Sequence, residues 1–174
     1  MIMSDPRDLI WGSAFEIYYK IYYEEILFDK LIKRMQRIDA GARYLIALTA
    51  SGSAVAGWSM WQNDQLRIVW LIISGITALI AIAHSTQSIP KQLKEYVEAR
   101  RSFVTLRHEA EDFRNDMNLD PAFDVNRANV ELKKLRQRYV DLVNNCEKDI
   151  YCTDKLENRV QDILNSRIAD LTEG

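Results

Sequence analysis

Two long uncharged stretches, Tyr44–Trp61 and Ile68–Pro90, are separated by only six residues, Gln62-Asn63-Asp64-Gln65-Leu66-Arg67. Elsewhere the chain is densely charged, with 28% Asp, Glu, Lys and Arg over its 174 residues. About 20 apolar residues in a helix cover the ~30 Å hydrocarbon core of a bilayer. Each stretch is near or above that length, so the pattern predicts an all-α membrane protein. Its centre is a two-span transmembrane helical hairpin, residues 44–90, with spans at about 44–62 and 68–88.

The mean hydropathy of -0.24 conceals this pattern, because the charges lie outside the two stretches. The 23 basic and 25 acidic residues leave a net charge of -2. No polyelectrolyte partner is implied, and the basic footprint of nucleic-acid binding is absent. Cys146 and Cys152 lack zinc or redox spacing and read as ordinary thiols in a reducing compartment. The first 43 residues carry many charges before any apolar run, so no cleavable leader is expected.

Lys30, Lys33, Arg34, Arg37 and Arg43 precede the first stretch, and Lys91, Lys94, Arg100 and Arg101 follow the second. The turn between holds only Arg67, offset by Asp64. Basic flanks mark the cytoplasmic side, so both termini are expected in the cytoplasm, at a bacterial inner (plasma) membrane. Trp58, Trp61 and Trp70 near the turn, with Tyr44, Arg43 and Lys91 at the opposite boundary, are the expected interfacial anchors. The competing arrangement is a soluble bundle with unusually apolar inner helices.

The first stretch is rich in small residues. Gly52/Ala56 and Ser53/Gly57 have the small-xxx-small spacing of close helix contact. Thr49, Ser53 and Gly57 share one face at steps of four. This face lines a water path or packs the hairpin against itself. The second stretch is bulkier, with Ile68, Val69, Leu71, Ile72, Ile76 and Leu79, and is expected to face lipid.

The flanks are expected to form long amphipathic cytoplasmic helices, one over 1–43 and a helical region over 91–174. Asp5-Pro6 is a helix start: Asp caps and Pro suits the first helical position. Ala14, Ile17, Ile21, Glu24, Phe28, Leu31, Met35 and Ile38 then alternate three and four steps, the period of a coiled-coil seam. Glu24 interrupts the seam and is expected to drift toward solvent. Tyr18, Tyr19, Tyr22 and Tyr23 broaden the surface. Pro90 opens a helix whose seam is Tyr96, Ala99, Phe103, Leu106, Ala110, Phe113 and Met117, broken at Asn118-Leu119-Asp120-Pro121. A last helical segment carries Leu132, Leu135, Tyr139, Leu142 and Cys146, then Leu156, Val160 and Ile163, with a kink expected between Asn144 and Asp154. These seams predict an antiparallel bundle shared across subunits.

Catalytic signatures are missing. The glycines fit no phosphate-binding pattern, and His84 and His108 lack a metal-ligand context. Glu109, Glu111, Asp112 and Asp116 read as a solvated helix face. Neither enzymatic activity, nor a cofactor, nor a metal is expected.

The order of elements resembles the SLATT family, the SMODS- and SLOG-associating two-transmembrane effector domains of bacterial conflict systems. Asp5-Pro6, the stretches Tyr44–Gln62 and Ile68–Ser88, and Pro90 carry the resemblance, which covers nearly the whole chain. It implies a pore-forming effector in antiviral defence, triggered through a nucleotide-signalling cyclase or sensor protein. The expected function is therefore an oligomeric effector that permeabilises the inner membrane, its partners being the lipid bilayer and further copies of itself. The alternative is a membrane-anchored helical scaffold that binds a cytoplasmic partner.

Overall fold

The computed structural model describes residues 5–52, 68–69, 71–72, 75–79, 82, 89–119, 124–146 and 151–173, and among them there is no strand. Four long helices result: α1 (Pro6–Gly52), α2 (Ile89–Leu119), α3 (Val125–Asn145) and α4 (Asp154–Glu173).

Local chemistry sets their ends. Pro6 opens α1, and the Asp5 carboxylate accepts from the Arg7 backbone N–H at 2.9 Å, satisfying a donor that the first turn leaves unpaired. Asp124, in extended conformation, caps α3 by accepting from Asn126 N at 2.8 Å. The Thr153 carbonyl takes Leu156 N at 2.7 Å, and Asp154 and Glu157 in the first turn of α4 suit its positive end. The expected kink between Asn144 and Asp154 is a full break: Cys146 is extended, and α3 and α4 are separate helices. Gly41 does not interrupt α1.

The chain divides into two compact units, one of Met1–Ile32 with Glu95–Gly174 and one of Lys33–Lys94. In the first unit, α1 and α2 run antiparallel. Phe28 stacks on Phe103 at 5.5 Å between ring centroids and meets Tyr96 edge-on at 5.6 Å. The seams are legible here: Ala14, Ile17, Ile21, Phe28 and Leu31 are buried, as are Phe103, Leu106, Ala110, Phe113 and Met117 on the facing helix. Ala128, Leu132 and Leu135 of α3 and Val160 and Leu164 of α4 complete the core. Each large apolar side chain so buried contributes about 1.5–3 kcal/mol. These helices pack on one another within one chain.

In the second unit, Arg43 pairs with Asp39 one turn back at 3.0 Å. Ile38, expected in the seam, is 40% exposed. The two-span hairpin is overturned: among the described residues no helix is long and apolar enough to cross a membrane. The all-helical part of the expectation stands; the membrane-spanning part does not.

Candidate functional site

The residues singled out from the sequence fall in the second unit or at its edges. Thr49 and Gly52 lie in the last turns of α1. Ser53, Ala56, Gly57, Trp58, Trp61 and Trp70 lie outside the described residues, as does His84. Tyr44 is 68% exposed, Arg43 is held by Asp39, and Lys91 is exposed on α2. Ile68, Val69, Leu71, Ile72, Ile76 and Leu79 are all more than half exposed.

The first unit holds a layer that sequence reading missed. Trp11, Phe15, Tyr18 and Tyr22 form a second stripe on α1, beside the apolar seam and with its three-and-four spacing. Arginines from other helices cover it. The Arg114 guanidinium lies 5.0 Å from the Trp11 ring, 5.3 Å from Phe15 and 5.0 Å from Tyr18. Tyr22 is faced by Arg107 at 5.2 Å and by Arg167 at 5.7 Å, and Arg167 also donates to the Tyr22 hydroxyl at 2.9 Å. A cation over an aromatic face is attracted by the ring quadrupole, so this stripe binds charge while burying carbon.

Carboxylates finish the layer. Arg107 donates to Glu25 at 2.6 Å and to Glu111 at 2.5 Å, and the Tyr18 hydroxyl also reaches Glu111, at 3.2 Å. Burial alone would lower the Arg107 pKa; its hydrogen bond to Glu25 and the charges of Glu25 and Glu111 outweigh this and raise it. Burial first, then Glu111, pushes the Tyr18 phenol above its ordinary value. The expectation of a solvated acidic face on α2 holds for Asp112 and Asp116, which are exposed, but not for Glu111, which is built into this network, or Glu109, which pairs with Arg138 of α3.

Glu24 corrects a second expectation. It is buried, at 4% exposure, within the α1 seam. Burial pushes the neighbouring Tyr23 phenol to about 12, with the charges of Glu157 and Glu24 adding to the shift. Tyr139 of α3 is raised by burial and then by Glu24. The Cys152 thiol donates to Glu157 at 3.2 Å. A buried carboxylate, two half-buried phenols and a half-buried thiol therefore meet where α1, α3 and α4 converge.

Two grooves flank α3. One, of about 320 Å³, lies between α2 and α3 and is lined by Glu109, Asp112, Asp116 and Glu131 with Lys134 and Arg138. The other, of about 280 Å³, lies between α1 and α3; Leu9, Ile10, Val125 and Leu132 form its apolar wall and Lys133 and Arg136 its rim. Among the described residues no three His, Cys, Asp or Glu side chains are grouped to hold a metal ion. No family model, no curated protein and no solved structure matches the chain.

Proposed function

We propose that the chain is a helical scaffold without enzymatic activity, its first unit being a bundle that holds protein partners on its outer faces. One observation carries this reading. The polar chemistry of the unit is spent on joining helices, as in the arginines laid over the α1 aromatic stripe, while its surface offers open, charged grooves. Arginine, tyrosine and tryptophan placed between helices specify register and partner helix, which suits a rigid docking platform.

A second reading is favoured by the exposed apolar residues between Ile68 and Leu79. Exposed apolar surface marks contact with protein or lipid, and the resemblance to the SLATT family implies an oligomeric effector that permeabilises a bilayer. The two readings part when residues 44–90 are replaced by an unrelated apolar segment. As a scaffold, the native chain leaves dye-loaded liposomes sealed, and the replaced chain keeps its unfolding midpoint. Dye release by the native chain that disappears on replacement would move the conclusion to the permeabilising effector.

A further inference from the structure

We propose that the groove between α1 and α3 receives α2 of a second copy of this chain, in a contact that pairs two different faces. The proposal deepens the scaffold reading by naming its partner.

The two grooves beside α3 are complementary in charge. The α1–α3 groove is lined by two cations, Lys133 and Arg136, and no carboxylate. The α2–α3 groove carries four carboxylates against two cations. Of those two cations, Arg138 is already engaged by Glu109. Asp112 and Asp116 are exposed and contribute the acidic excess.

The same α2 face ends in an apolar knob. Asp112, Asp116 and Leu119 follow at steps of four and three, which places them on one side of the helix. Leu119 is 80% exposed, the most exposed large hydrophobic residue among those described. The receiving groove offers apolar wall to match, including Leu9 at 61% exposure and Val125 at 36%.

The spacing agrees as well. From Leu119, Asp116 and Asp112 lie three and seven residues back. From Asn129, inside the groove, Lys133 and Arg136 lie four and seven residues on. At ~1.5 Å rise per residue, Leu119 seated at the level of Asn129 places Asp116 opposite Lys133 and Asp112 opposite Arg136, each within about 2 Å along the axis. The approaching α2 then runs antiparallel to the receiving α3. Glu16 lies near Arg136 in the same copy but is engaged by Lys20 at 2.5 Å. Because one copy's ridge meets another's groove, the contact is heterologous and propagates from copy to copy, into a ring where the rotation closes and a filament where it does not.

The test is sedimentation of the full chain in a nonionic detergent that covers the exposed apolar residues of the second unit. The native chain is expected to associate with rising concentration. Leu119→Ser, and separately Lys133→Glu with Arg136→Glu, weaken association about tenfold or more, with unfolding midpoints unchanged because all three positions are exposed. Mixing the Lys133→Glu/Arg136→Glu chain with an Asp112→Lys/Asp116→Lys chain restores a complex that neither forms alone. A native chain monomeric at every concentration, or variants that associate like the native chain, would overturn the proposal. Neither outcome touches the scaffold reading, which rests on the liposome and replacement experiment.

Discussion

Tyr23 and Arg114 show how single side chains tie the bundle together. The Tyr23 phenol is held at about 12 by burial and by the Glu157 and Glu24 carboxylates, above the usual value near 10. A phenol that keeps its proton more tightly when folded stabilises the fold fully below pH 10. That contribution is lost as pH rises through about 12, because the unfolded chain releases the proton first. Tyr23→Phe is expected to flatten the fall in unfolding free energy between those two values, read by denaturant titration at several pH values; an equally steep fall in the variant would show that other groups cause it. Arg114 makes a different point. Its buried Nε meets no hydrogen-bond acceptor among the described residues, so the three rings are its principal compensation. Arg114→Ala should cost about 2 kcal/mol. Arg114→Lys should recover only part of that, because a compact ammonium cannot stack as a planar guanidinium does. Full recovery with lysine would reduce the contact to simple charge.

Among the elements, α1 was the most legible from sequence. Its seam from Ala14 to Met35 follows helical period, and Asp5-Pro6 announces its start through local chemistry that needs no partner. Periodicity failed at Glu24, since burial of a carboxylate depends on what Tyr139 and the start of α4 place around it. It failed again for the stripe Trp11, Phe15, Tyr18 and Tyr22, whose partners Arg107, Arg114 and Arg167 lie about 85 to 145 residues away. The polar run between Asn144 and Asp154 gave a correct place for an interruption but not its depth, because a kink and a break share the same composition. Gly12 is a further element-level feature: it lies within α1, and a Cβ there would meet nothing within 4 Å. Gly12→Ala is therefore expected to raise stability by about 0.5–1 kcal/mol through the unfolded chain's lost freedom. A lower midpoint for Gly12→Ala would mean that α1 is not helical at that position.

At the scale of the molecule, the uncharged stretches dominated the sequence and pointed to a hairpin across a bilayer, because hydropathy is a sum along the chain. Among the described residues no helix sustains that sum over the length a membrane crossing needs. The antiparallel bundle expected of the flanking helices has its own core, with Phe28 against Phe103 and Tyr96, and Val160 and Leu164 fully covered. Residues 33–94 are therefore expected to be dispensable for folding of the first unit. Replacing them by a short Gly/Ser linker between Ile32 and Glu95, where Phe28 and Tyr96 already place α1 and α2 side by side, and following unfolding by circular dichroism tests this most directly. A helical chain that unfolds in one cooperative transition is the predicted result. A chain without a cooperative transition would contradict the account, showing that the bundle exists only in company with the segment it was taken to stand without.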